Sequence, residues 1–275
     1  MLRRCLTGRA MARNSNGESV FSRMSRIYEA FGPESPAFTV TELSKRSGMP
    51  MATVSRMVAE LVEHDWLLRD GDGRVRIGFR VWELVTRAAP TRELRRVAMP
   101  YVSELHARIG HLVAISVRQG DGALVIDELP APGAVEPRPG DSGRLPLHAS
   151  ATGLVLLAYA GFEAQQSVLG QALTAYTEHT PTDEKSLRVL LSEVRRSGIA
   201  ICVGFLDPKL TSISVPLRGA HGEVVAALTV VVPDATTARS LIPVLRAASA
   251  RVSRALAENG APDPTPLSGY LGVRS

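Results

Sequence analysis

Residues 39–78 read TVTELSKRSGMPMATVSRMVAELVEHDWLLRDGDGRVRIG, and the order of signals in this stretch decides the fold of the N-terminal part. Thr39-Val40-Thr41-Glu42 has the form of a capping box, in which the Thr39 hydroxyl accepts from the Glu42 amide and the Glu42 carboxylate reaches back. A short helix carrying Leu43 follows and ends at Gly48. A third helix begins near Pro50, because proline is tolerated at the first helical position, although Met49 is a poor cap. Val54, Met57, Val58, Leu61 and Val62 share one of its faces. Upstream, Val20, Met24, Ile27, Tyr28 and Phe31 fall at helical spacing and face one core, and Gly32-Pro33 stops that helix.

Two helices joined by a tight glycine turn, behind a supporting helix, make a helix-turn-helix. The second helix of the pair exposes Met51, Ala52, Ser55, Arg56, Ala59, Glu60 and Glu63. Its N-terminal end is the one that reaches base edges in a major groove, so Met51, Ala52, Thr53, Ser55 and Arg56 are candidate DNA contacts. Residues 66–69 then read as a strand, Asp70-Gly71-Asp72-Gly73 as a turn and residues 74–78 as the returning strand. A hairpin directly after a recognition helix is a wing. Arg69, Arg74 and Arg76 on it would lie against phosphate or the minor groove and supply salt-dependent affinity. The competing reading of the whole segment is a small helical domain with a charged face.

Working outward, residues 1–17 carry Arg3, Arg4, Arg9 and Arg13 without an apolar period and read as a disordered basic arm; Met11 is an alternative start. Residues 18–80 form the winged unit. Residues 81–110 read as linker helices with Leu94, Val97, Ala98, Tyr101, Val102, Leu105 and Ile109 in period, interrupted or bounded by Pro90 and Pro100. Residues 111–258 alternate strands with helices. Strands are expected at 112–117, 123–127, 199–205, 211–217 and 223–232, and a Pro/Gly-rich loop at 130–143. Helices are expected from near Ser150, over 183–197 after entry at Thr182, and over about 236–258. The expected architecture there is a mixed, largely antiparallel sheet flanked by helices, so the chain as a whole is α+β. Residues 259–275 read as a flexible tail.

With 275 residues, 45% of them hydrophobic and 21% charged, the chain has material for about two domains and is not disordered overall. Its longest apolar runs, such as 224–232, are too short to span a bilayer. The basic start lacks the apolar segment of a secretory signal, so a soluble cytoplasmic protein is expected. The formal net charge is +5, and residues 1–90 hold 14 basic against 10 acidic residues. That excess fits an anionic partner or simply a solvated tail. Two cysteines, Cys5 and Cys202, make neither a disulfide framework nor an all-cysteine zinc site, and the six histidines are scattered, so no metal is expected. No Gly-rich phosphate loop follows a strand, and no cofactor is expected. As a nucleophile Cys202 would need a base and an orienting group, for which His148, His179 and His221 are candidates by residue type only. Its apolar strand pattern points instead to a buried, inert thiol, and the chain is not expected to be an enzyme.

From about Ser19 to Ala257 the chain resembles the IclR family of bacterial transcriptional regulators. The resemblance rests on the winged stretch above and on GRLPLHASATG at 143–153 and SVPLRGAHGEVVAALTV at 214–230. It implies a winged helix-turn-helix joined by a linker helix to a GAF/PAS-like α/β sensor domain. It also implies a homodimer or homotetramer (dimer of dimers) on palindromic double-stranded operator DNA, modulated by a small organic effector. Carried over by motif, effector-lining positions fall on Ala151, Thr152, Cys202, Ser212, Thr229 and Val231. Three positions depart from the family pattern: Cys202 stands where an acidic residue is common, Ser212 where cysteine is common, and Leu154 where lysine is usual. The wall is therefore less charged, which favours an effector with an apolar or aromatic body over a two- or three-carbon keto acid. Free amides near Ala151 and Thr152 would favour an anionic head. His148 either orients this loop or is a satisfied structural histidine. An enzyme or sensor on a GAF-like domain with a vestigial winged helix is the alternative reading.

Overall fold

The computed structural model describes residues 18–32, 35–88, 91–132 and 143–259. The basic arm, most of the 130–143 loop, Cys5 and the tail beyond 259 lie outside the described residues. The described chain forms two units, divided between Arg87 and Ala88.

The N-terminal unit comprises α1 (Val20–Tyr28), α2 (Val40–Ser47), α3 (Met51–Glu63), β1 (Leu67–Arg69), β2 (Val75–Ile77) and α4 (Phe79–Ala88). Both halves of the capping box form: the Glu42 amide donates to Thr39 Oγ1 at 3.2 Å and the Thr39 amide to Glu42 Oε2 at 2.7 Å. Gly48 ends α2 at φ 63°, a left-handed conformation that favours glycine. Pro50 is the N-cap of α3 rather than its first helical residue. Ile27, Leu43, Val54, Met57, Val58, Leu61, Leu67 and Val75 form the core. Val20, expected in that core, is instead exposed at the first helical position, where no element of the unit covers it. Burial pushes the Tyr28 phenol up to about 12, and its hydroxyl donates to the Trp66 carbonyl at 2.7 Å. The strands β1 and β2 pair antiparallel, and the single bridge Phe38–Val75 adds a third chain segment to the wing.

The C-terminal unit is built on a six-stranded sheet in the order β5-β4-β3-β8-β7-β6. The strands are β3 (Leu112–Gln119), β4 (Gly122–Leu129), β5 (Arg144–Pro146), β6 (Ala200–Val203), β7 (Thr211–Arg218) and β8 (Val224–Val232). Every pairing is antiparallel, so the sheet is not mixed. The helices are α5 (Arg92–Ile109), α6 (Ala151–Ala158), α7 (Phe162–Leu169), α8 (Glu184–Ser197) and α9 (Ala235–Glu258). Pro100 does not bound a helix but lies inside α5 on its exposed side, where solvent reaches the carbonyl its ring leaves unpaired. Asp183, not Thr182, caps α8, its carboxylate accepting from the Ser186 amide at 2.9 Å. The helix α7 was not expected from the sequence; its apolar pattern is weak and Gly161 gives it no side-chain cap. His106 is half-buried, with Nε2 2.7 Å from the Pro130 carbonyl.

The two faces of the sheet differ. Val113, Ile115, Val117, Ile213, Val215, Leu217, Leu228, Val230 and Val232 pack with α5 and α9 in one core. The other face, toward α6 and α8, carries Ala123, Ala200, Cys202 and Ala227. Because opposed residues share a face, the register adds Ala114, Ser116, Ser212, Ser214, Thr229 and Val231 to it.

Candidate DNA-binding face and effector site

The helix α3 presents Met51, Ala52, Ser55, Arg56, Ala59, Glu60 and Glu63 to solvent, while Thr53 is half-buried in its first turn. Among the described residues no ion pair reaches Arg56. The wing arginines, expected to lie against phosphate or the minor groove, also make contacts within the winged unit. Arg74 donates to Glu42 and to the Ala37 carbonyl, both at 3.1 Å. Arg76 Nε donates to Asp70 at 2.9 Å, and Arg69 to the Gly73 carbonyl at 3.1 Å. The Asp70 carboxylate also accepts the Arg74 and Asp72 amides, closing the turn. The Arg76 contact first, then these amides, hold Asp70 below the usual carboxylate range. Glu42 is lowered too, chiefly by the Thr39 amide. The wing arginines thus fix the shape of the wing through ties that remain solvent-accessible.

In the C-terminal unit the positions expected to line an effector converge on the small-residue face of the sheet. Cys202, Ser212 and Val231 stand side by side on β6, β7 and β8, and Ser214 and Thr229 form the next row. The first turn of α6 lies over them: Thr152 Oγ1 is 2.6 Å from Thr229 Oγ1. Thr229 donates to Ser214 Oγ at 2.9 Å, and Ser214 to the Leu228 carbonyl at 3.3 Å. With the Thr229 proton committed to Ser214, Thr152 must be the donor at its end of the chain. Toward a ligand, the Thr152 hydroxyl is therefore an acceptor only.

The entry of α6 is held tightly. Ser150 Oγ accepts from the Gly153 amide at 3.0 Å and donates to the Pro146 carbonyl at 2.8 Å. A Cβ on Gly153 would stand 2.5 Å from that carbonyl and from Leu147 Cα, so glycine permits this close approach. All eight residues of α6 are buried. The amides of Ala151 and Thr152, its first two, make no hydrogen bond among the described residues. Both residues are essentially inaccessible, at 0% and 1% exposure.

His148 Nε2 lies 2.9 Å from the Thr174 carbonyl, which only accepts, so this nitrogen carries hydrogen and the neutral ring keeps Nδ1 as an acceptor. His148 thus anchors the segment between α7 and α8. That segment is tied again where β6 ends: Thr177 donates to the Gly204 carbonyl and Thr180 to the Phe205 carbonyl, both at 2.6 Å. The Tyr176 ring sits 6.0 Å from that of His148. Sequence reasoning missed this strap, because threonines in a loop carry no periodic signal. It missed Ser116 and Ser214 as well, although both sit in the small phase of an alternating strand. The Cys202 thiol is buried and burial raises its pKa well above the ordinary thiol range, so a thiolate is disfavoured. Arg144 is exposed and donates to the Gln119 side chain at 2.8 Å.

A winged helix-turn-helix followed by an α/β domain built on a six-stranded antiparallel sheet defines a transcription regulator of the HTH type. Residues 22–71 match the IclR helix-turn-helix domain, and residues 86–255 match the bacterial transcriptional regulator IclR C-terminal domain. The chain belongs to the IclR family. An IclR homologue from Microbacterium hydrocarbonoxydans, whose crystal structure is of a complex with 4-hydroxybenzoate, is 34% identical. The match covers 86% of this chain and 99% of that one, with a TM-score of 0.79. The HTH-type transcriptional regulator Rv1719 of Mycobacterium tuberculosis is 28% identical over 77% of this chain and 82% of its own length. The Pca regulon regulatory protein of Pseudomonas putida is 27% identical over 81% and 79%. No helix among the described residues is long and apolar enough to cross a membrane.

Proposed function

We propose that this chain is a ligand-responsive, DNA-binding regulator whose sensor domain takes a small organic acid with an aromatic or apolar body, and that it is not an enzyme. The observation that carries the reading is the pair of buried, unpartnered amides at Ala151 and Thr152. Buried backbone donors are nearly always paired, and at a helix N-terminus they attract an anion. Around them Cys202, Thr229, Ser212 and Val231 bring no carboxylate, and the relative bound to 4-hydroxybenzoate supports the same ligand class. The raised pKa of Cys202 speaks against a nucleophilic role and for the regulator reading. His148 closes the site through the strap.

On the DNA side, Met51, Ala52, Thr53, Ser55 and Arg56 enter the major groove, and Arg56, which makes no internal tie among the described residues, reads a base edge. Arg69, Arg74 and Arg76 keep the wing in shape to meet the backbone. A dimer or dimer of dimers on a palindromic operator is supported by the uncovered apolar residues of the winged unit: Phe79, Trp82 and Val85 on α4, and Val20 and Phe21 on α1. Sedimentation at micromolar concentration checks this, with a monomer that still binds operator as the contrary result.

The ligand reading is tested by thermal shift of the whole chain with benzoate-type and medium-chain acids against glyoxylate and pyruvate. The larger acids should stabilise the chain, and Cys202→Asp, which brings a carboxylate to the wall, should weaken them. Stabilisation by the small keto acids alone, or an unchanged preference in Cys202→Asp, would contradict the reading.

A further inference from the structure

The strand β3 runs Leu112-Val113-Ala114-Ile115-Ser116-Val117, with Val113, Ile115 and Val117 on the α5/α9 face and Ala114 and Ser116 on the α6 face. Ser116 opposes Ala227 of β8 on one side and Val125 of β4 on the other, at the bulge between Ile115 and Ser116. It is fully buried, and its hydroxyl is the one buried side-chain polar atom among the described residues without a hydrogen-bond partner. Packing alone does not call for a serine: Ala114, Ala123 and Ala227 on the same face meet the need for small residues under α6. Buried hydroxyls are normally paired, so an unpaired one calls for an explanation.

Its place in the sheet offers one. Thr229, bonded to Thr152 beside the unpartnered amides, opposes Ala114. Ser116 is therefore one strand across and two residues along from Thr229, about 8 Å away by the spacing and rise of a sheet. That is close to the span of a single para-substituted benzene ring. The unpartnered Ala151 and Thr152 amides lie beside one end of this span, next to the Thr152–Thr229 bond, and the other end offers a hydroxyl able to donate or accept.

We infer that Ser116 is a specificity-determining residue of the effector site, its hydroxyl bonding a second polar group, a ring hydroxyl, at the end of the effector opposite the acid. This rests on the reading of the site as an acid-binding one. Calorimetric titration of the full chain with benzoate, 3-hydroxybenzoate and 4-hydroxybenzoate tests it, alongside Ser116→Ala and Ser116→Cys. The unaltered chain should bind 4-hydroxybenzoate roughly ten-fold more tightly than benzoate, the worth of one well-made hydrogen bond in a buried site, with the 3-isomer between them. Ser116→Ala should abolish that preference while leaving benzoate binding and the melting temperature of the ligand-free chain unchanged or raised. Ser116→Cys, a larger and weaker hydrogen-bonding group, should lose the preference too. An equal preference in Ser116→Ala and the unaltered chain overturns the inference, as does a lowered melting temperature in the ligand-free variant, which would mark the hydroxyl as structural. If none of the three acids binds the unaltered chain, the acid-binding reading itself falls.

Discussion

The two faces of the sensor sheet come from the same strands yet follow different rules. One face is a run of Val, Ile and Leu pressed against α5 and α9. The other carries Ala114, Ser116, Ala200, Cys202, Ser212, Ser214, Ala227 and Thr229 beneath α6. The branched face buries area and contributes stability, whereas of the four hydroxyls on the small face those of Thr229 and Ser214 are bonded to each other, beside α6 amides that make no hydrogen bond among the described residues. The winged unit shows the same division, with Arg69, Arg74 and Arg76 tied inside the fold and Arg56 left open. Groups that spend their hydrogen-bonding capacity within the chain hold its shape, and those that keep it are the ones a partner meets.

The division would break most visibly on the branched face. Leu228→Ala should cost about 2–5 kcal/mol of stability, as a cavity in a packed core does, in chemical denaturation. The remaining folded protein should keep its ligand preference; a changed preference would mean that the two faces are not separable. On the winged unit, Arg56→Ala should remove about 1–3 kcal/mol of operator-specific binding in fluorescence anisotropy at fixed salt, leaving non-specific binding little altered. Loss of both together would place Arg56 on phosphate.

Thr229→Val sharpens the contrast from the other side. It takes the acceptor from the buried Thr152 hydroxyl and should cost about 1–3 kcal/mol in stability, with weaker acid binding measured by calorimetry. Arg74→Ala should be milder, within about 1 kcal/mol of winged-unit stability, because its ion pair with Glu42 is half exposed. Asp70 and Glu42 are held below their ordinary range, so the support they give the wing is present above the unfolded carboxylate value. It is lost as pH falls below the ordinary carboxylate range and through the lowered values. An acid titration of the winged unit followed by circular dichroism should show that loss, and stability constant down to pH 2, well past the ordinary carboxylate range, would contradict it.

Much of this was legible in the chain. The capping box at Thr39–Glu42, the glycine stop at Gly48 and the paired signals of the hairpin are local, and local signals survive folding. The alternation in LVAISV and TSISVPL already separates the two faces. Less legible was whatever depends on distant partners. That Arg74 is held by Glu42, that Thr152 finds Thr229 across 77 residues of chain, and that Thr177 and Thr180 strap the site to Gly204 and Phe205 are facts of tertiary placement. Pro100 inside α5 shows the converse, a strong local breaker overridden by the packing of Val97, Ala98, Val102 and Leu105 on the sheet.

The most direct test is a titration of the chain onto DNA from upstream of its own gene, with and without 4-hydroxybenzoate or its methyl ester. The acid should shift the affinity for DNA, and bound DNA should shift the affinity for the acid by the same factor, since coupling between two sites is reciprocal. The ester, with no charge to offer the Ala151 and Thr152 amides, should do neither. An acid without effect on DNA binding, or an ester as effective as the acid, would contradict the account.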